Sequence, residues 1–239
     1  MKSLLKKIVE KIVVPPMLYL VRRLPDSNQQ SPKSVYYRIK DDALQTSFNL
    51  VREHLHKVLL FPYREQLWDH AISKINQNEE GLYLELGVFK AVSINYFSSK
   101  LPKVTFHGFD SFVGLQEDWK GTKSTKGRFD VKGILPKVNS NVELYSGWFD
   151  ETLVPFLKGN NKKISFLHID SDTYEAAQFV LSTVKSRLQK GTIIVFDEFI
   201  GYPNWQNGEF KAWNEFIESQ KIEYEFLAFS NEQVSIIIL

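Results

Sequence analysis

The sequence contains no cysteine. Disulfides, a thiol nucleophile and zinc sites built on thiolates are therefore excluded, and the absence fits a reducing compartment. A long apolar run is also missing. The longest uncharged stretch of the N-terminal segment, Ile12 to Val21, is ten residues and is broken by Pro15-Pro16, whereas a spanning helix needs about 20. A secretory signal fits poorly, because no small-residue cleavage site follows the run and Arg22-Arg23 does. Net charge is nearly absent too, at +2 from 30 basic and 28 acidic residues. It is unevenly placed, since residues 1–23 hold six of the basic residues and one of the acidic ones. The remainder is a slightly acidic body, which argues against a nucleic-acid-binding face. No two of the five histidines stand at His-x-x-x-His spacing, so the pattern gives no support to zinc.

What is present is an ordinary globular composition, 43% hydrophobic and 24% charged over 239 residues, with enough length for one sizeable core. Residues 1–40 read as a basic amphipathic segment and linker. Leu4, Leu5, Ile8, Val9 and Ile12 share a helical face, which suits an anionic surface or a packing partner. Residues 25–34 are polar and Pro-containing, as linkers are. Residues 41–239 read as one domain. Helical periodicity covers 41–60 and resumes at 64–75 after Phe61-Pro62-Tyr63. Apolar runs at 81–88, 104–110, 141–147, 164–170 and 192–198 alternate with helical segments, and 111–139 is a polar, glycine-containing loop or lid. The runs at 222–230 and 233–239 are separated by Asn231-Glu232 alone, which demands a hairpin. The expected fold is α/β: a seven-strand, mostly parallel Rossmann-like sheet with a C-terminal antiparallel hairpin and helices on both faces.

In such sheets ligands bind outside the carboxyl ends of the strands. Those ends deliver Glu85 and Gly87, then Asp110, Gly147, Asp170 with Asp172, and Asp197 with Glu198. The turn from Glu85 through Gly87, Val88 and Phe89 to Ser93 would admit a ligand to the backbone at the start of a helix. It has one glycine where dinucleotide folds place three. Asp110 could accept both hydroxyls of a ribose. Asp170, Asp172, Asp197 and Glu198 supply hard oxygen donors for Mg²⁺ or another divalent cation, or a general base. A set of helix-capping carboxylates would read the same way. His168, two residues before Asp170, fits a satisfied core histidine. Trp119, Tyr202, Trp205 and Trp213 could stack on a sugar or fill the core.

The stretches GLYLELGVFKAVSINYFS, FHGFDSFVGLQEDW, VELYSGWFDETLVPFL, FLHIDSDTYEAAQFVL and IIVFDEFIGYPNWQNGEFKAWNEF, in that order, resemble the class I S-adenosylmethionine-dependent methyltransferases, specifically the macrocin O-methyltransferase-like family. The resemblance covers about residues 58–218. It implies a metal-dependent transfer of a methyl group from S-adenosylmethionine to a hydroxyl, commonly on a sugar of a glycosylated metabolite or polysaccharide. It assigns Glu85, Gly87, Val88, Phe89, Ser93, Asp110, Ser111, Gly147, Trp148 and Phe149 to the cofactor. It gives Asp170, Asp197 and Glu198 to the metal, and Asp170 or Asp172 the role of base. Two departures stand out: Glu198 where an aspartate is usual, and Ala91 where a glycine is usual, which would narrow the room beside the cofactor's tail. A metal-dependent glycosyltransferase using Asp170-Ser171-Asp172 and a non-catalytic, membrane-recruited adaptor are the competing expectations. The expected setting is cytoplasmic, with peripheral membrane contact through residues 1–23, a small-molecule or glycan acceptor, no nucleic acid, and a homo-oligomer.

Overall fold

The computed structural model describes residues 34–76 and 80–239, so the membrane expectation for residues 1–23 lies outside the described residues. Helix α1 covers Val35–His54, and Arg52 and His54 in its last turn suit the negative end of the helix dipole. It stops earlier than its periodicity suggests. Leu59–Leu60 form a two-residue strand, β1, paired parallel to a C-terminal strand through Leu59↔Ala228 and Leu60↔Phe229. The sheet therefore has eight strands where seven were expected.

The other seven strands fall where the apolar runs placed them. They are β2 (Leu82–Leu86), β3 (Phe106–Asp110), β4 (Val142–Ser146), β5 (Ile164–Ile169), β6 (Ile193–Phe196), β7 (Tyr224–Ser230) and β8 (Gln233–Ile238). Helices α2 (Arg64–Ser73), α3 (Val92–Lys100), α4 (Phe149–Gly159), α5 (Tyr174–Val184) and α6 (Glu209–Gln220) connect them. The strand order is β1-β7-β8-β6-β5-β2-β3-β4, and only β8 runs antiparallel to its neighbours. Among the described residues no helix is long and apolar enough to cross a membrane.

Both faces of the sheet are covered, and the two-residue period of the strands sorts the core. Leu82, Leu84, Leu86, Leu167, Ile169, Ile194 and Phe196 point to the α4, α5 and α6 side, where Leu153, Val180 and Trp213 meet them. Tyr83, Phe106, Phe166, Ile193 and Val195 point the other way, onto Leu67, Trp68, Ile94 and Phe97 of α2 and α3. On that second face Glu85 pairs in register with His168, and both are buried. Three of the four aromatics considered as sugar platforms, Tyr202, Trp205 and Trp213, belong to the core.

Trp213 is fully buried, with its ring 5.5 Å from that of Phe196 and 5.1 Å from that of Tyr224. Trp213→Ala should destabilise the fold by about 3–5 kcal/mol, read as a lower midpoint in guanidinium unfolding.

Candidate active site

A cavity of about 570 Å³ opens at the carboxyl edge of the parallel strands. It is built from the ends of five strands and the loop after β3. One wall is the β2–α3 turn. Gly87 there has φ +97°, and a Cβ on it would stand 1.7 Å from the main-chain oxygen of Asp170. Glycine is thus required by the close approach of two protein backbones as well as by the left-handed turn. Phe89 and Ala91 are also left-handed, at φ 48° and 59°. Asp110, at the end of β3, fixes this turn. Its Oδ2 accepts the N–H groups of Val88 at 2.8 Å and Phe89 at 2.7 Å, and its Oδ1 accepts that of Phe112 at 2.6 Å. Opposite lie Gly147, Trp148 and Phe149, where the Trp148 N–H donates to Glu151 Oε2 at 3.2 Å and starts α4.

The acidic cluster forms the floor. Asp170 follows β5, and the Thr173 N–H donates to the Ser171 carbonyl at 2.7 Å across Asp172, which is held at φ 64°. That tight, strained turn presents Asp172 to the cavity. Asp197 and Glu198 follow β6 and line the same floor. Burial first, then the charge of Asp197, pushes the carboxyls of Asp170 and Glu198 well above the usual range. Burial and the charges of Asp197 and Asp110 push Asp172 up to about 7. Asp197 goes the other way. Desolvation opposes its charge, yet the adjacent charged His168 outweighs that and holds it low.

Beneath the floor His168 is wholly buried between two carboxylates. Its Nδ1 lies 3.0 Å from Glu85 Oε2, and its Nε2 lies 3.6 Å from Asp197 Oδ1. Burial pulls the imidazole down, but its bonds to Asp197 and Glu85 prevail and lift it to about 10. Glu85 also accepts the Ser93 hydroxyl at 3.0 Å. Two assignments change accordingly. Glu85 and Ser93 do not line the cavity: their polar atoms are committed to one another and to His168, one layer below. Ala91 is 1% exposed and packs in the α2–α3 core, so its methyl fills core space and takes no room from the cavity. The other twelve anticipated site residues all line the cavity.

Glu209 and Gln233 were not anticipated. Glu209, wholly buried at the start of α6, accepts the Ser171 N–H on Oε1 at 3.4 Å and the Glu198 N–H on Oε2 at 3.2 Å. It ties together the two loops that carry the acids, and burial and the charge of Asp197 push it up to about 8. The Gln233 side-chain amide, on β8, donates to Asp197 Oδ1. Nothing in an amphipathic helix or a closing strand marks either residue. Of the four aromatics considered as sugar platforms, only Trp119 reaches the cavity, edge-on to Tyr202. The 111–139 segment supplies it, folded back by hydrogen bonds between Leu115 and Gly127–Arg128.

The donor set fits a hard divalent cation. Ligand atoms of Asp170, Asp172 and Glu198 lie within 4.8 Å of one another, as do those of His168, Asp170 and Asp197. Glu198 Oε2 is buried without a hydrogen-bond partner, which is costly unless something cationic meets it. The compact grouping thus brings Asp172 to the acids, while Asp197 Oδ1 is occupied from below by Gln233 and His168.

Residues 84–199 match the family model described as a methyltransferase domain. That match spans just under half of the chain, and the strand order, with its reversed β8 and a cavity over the strand ends, is the α/β Rossmann-like fold of the solved methyltransferases to which the chain is similar. Among solved structures it is similar to CalS11, calicheamicin methyltransferase, with a TM-score of 0.59, 21% identity, and coverage of 87% of this chain and 94% of that one. An apo structure of CalS11, described as a TDP-rhamnose 3′-O-methyltransferase, gives a TM-score of 0.52 at 21% identity, with 87% and 95% covered. The O-methyltransferase NovP gives 0.56 at 17% identity, with 72% and 79% covered. Among curated proteins no relative matches the sequence.

The raised carboxyls make stability depend on pH with a definite sign. Unfolded carboxylates titrate near 4, whereas Asp172 and Glu209 do so at about 7 and 8 in the fold. Between these limits the folded state holds more protons, so stability falls as pH rises. The Tm of the metal-free protein should drop from pH 6.5 to 9. Asp172→Asn should reduce that slope.

Proposed function

We propose that the chain is a metal-dependent O-methyltransferase that methylates a sugar hydroxyl. The observation that carries this reading is the joining, in one cavity, of a glycine turn, a ribose-type carboxylate and a dense acidic floor. Asp110 would receive the ribose hydroxyls on lone pairs left over from its main-chain bonds. Gly147, Trp148 and Phe149 would flank the adenine. Asp170 and Glu198 would hold a divalent cation, with Asp172 completing the compact grouping and Asp197 beside it. When bound, S-adenosylmethionine supplies an electrophilic methyl, and the cation polarises an acceptor oxygen.

The chain's own groups do the rest. Asp172, presented to the cavity by its strained turn, is the carboxylate we assign to removing the hydroxyl proton. Glu209 and Gln233 keep the loops in register, and His168 holds Asp197 ionised. The new O–C bond forms as the S–C bond breaks, leaving a methyl ether, S-adenosylhomocysteine and a proton on the base. Much of the acceleration comes from positioning. Trp119 at the cavity would offer a sugar a stacking face, and CalS11, to which the chain is similar, is a TDP-rhamnose 3′-O-methyltransferase. A glycosyltransferase reading accounts for neither the Gly87 turn nor the reversed β8.

Calorimetry with S-adenosylhomocysteine tests the cofactor half: Asp110→Ala should weaken binding by at least about 10-fold, on the scale of a lost charge-assisted bond. Unchanged binding would sink the assignment. For the metal half, labelled S-adenosylmethionine and a panel of nucleotide-linked sugars should give a product that EDTA, Asp170→Asn and Glu198→Gln each abolish.

Self-association belongs to the same proposal. Leu44, Phe48 and Leu55 leave an exposed apolar stripe along and just beyond α1, at spacings that put them on one face. Phe48→Asp should shift the sedimentation coefficient to that of a monomer, with cofactor binding intact.

A further inference from the structure

We propose that Arg64 anchors the α-carboxylate of the cofactor's methionine half; the proposal rests on the S-adenosylmethionine reading above. The side chains lining the cavity include eight carboxylates and, among the described residues, one Lys or Arg, which is Arg64. Methionine brings three charged groups into that surrounding. Its sulfonium and ammonium are cations and suit the acids. Its carboxylate is repelled by every one of them and has a single complementary partner on the cavity wall.

Arg64 is held as an anchor must be. It is the first residue of α2, and its guanidinium carbon stands 4.9 Å from the centroid of the Trp68 ring. Trp68 is 1% exposed and is itself packed on Phe97 and His168. The chain entering α2 is pinned to the β7–β8 hairpin, where the Phe61 N–H donates to the Phe229 carbonyl at 3.0 Å and Asn231 donates to the Pro62 carbonyl at 3.4 Å. The charge also lies close enough to the floor to help hold Asp197 ionised.

Its donors are not spent. The ion pair of Arg64 is made through Nε, 3.6 Å from Glu65, and the two terminal nitrogens make no hydrogen bond among the described residues. That leaves the planar fork free to meet two carboxylate oxygens side by side. The Trp68 ring restricts the guanidinium before any ligand arrives, so less freedom is lost on binding. A surface arginine serving only solubility would need neither the buried tryptophan nor the pinned approach.

S-adenosylmethionine and its decarboxylated form differ by this carboxylate alone, and both can be titrated calorimetrically into the full chain and its variants. The wild type should prefer the carboxylated form by about 10- to 100-fold. Arg64→Gln should bring the two affinities within about 3-fold of each other while leaving the decarboxylated form unaffected, which also shows that the variant is folded. Arg64→Lys should keep part of the preference. Arg64→Gln retaining the full preference, or weakening both ligands equally, would overturn the proposal, as would a loss confined to an anionic sugar acceptor. A wild type that binds neither form would overturn the cofactor reading and this inference together.

Discussion

Three ionisable groups cross the middle of the sheet on neighbouring strands: Glu85 on β2, His168 on β5 and Asp197 at the end of β6. Everything at the strand ends stands on this row. A carboxylate beside other buried carboxylates would ordinarily take up a proton, because Coulomb repulsion in a poorly solvated site is strong. The imidazolium between Glu85 and Asp197 holds Asp197 ionised, whereas burial outweighs the bonds of Glu85 to His168 and Ser93 and pushes its carboxyl up. Trp68 and Phe97 close over the imidazole and keep water away. The acidic floor is thus supported from below by a cation that belongs to the protein.

The two loops above that row would repel each other if left alone. Glu209 opposes this through geometry, by accepting one main-chain N–H from each loop. Gln233 does the same for the Asp197 side chain. The division of labour is clear: groups that touch the cavity sit on short, strained turns, and groups that fix those turns sit on regular elements. Asp110 follows a similar logic on the other wall, where one carboxylate holds three main-chain N–H groups and thereby shapes the turn beside which a nucleoside would lie.

Most of the fold was legible in the sequence, for a local reason. Each parallel strand is a short apolar run ended by glycine or an acid, and each crossover is a helix with its own periodicity, so no long-range information was needed. β1 was illegible because two residues have no period, and Leu59-Leu60 continue the helical pattern of the segment before them. The cavity acids were readable because they stand at strand ends. Their supports were not: Glu209 acts on main-chain groups 38 and 11 residues away, and nothing in the residue type signals that. The reach of Glu85 was misjudged for a related reason. It sits one residue short of the end of β2 and points to the helix-covered face, where His168 and Ser93 use its oxygens. Aromatic content misled as well, since Tyr202, Trp205 and Trp213 are bulky enough to be needed in the core.

The position of β8 bears on how the molecule is made. β8 follows β7 in sequence yet is an inner strand, inserted between β6 and β7, and β1 reaches the sheet only through β7. A ribosome delivers residues from the N-terminus, so β6 must wait with an open edge, and β7 and β1 must wait unattached, until β8 has emerged as well. Completion of this sheet therefore comes after every other strand of the domain has been made. In that interval the apolar edge of β6 is the segment in greatest need of protection from other chains.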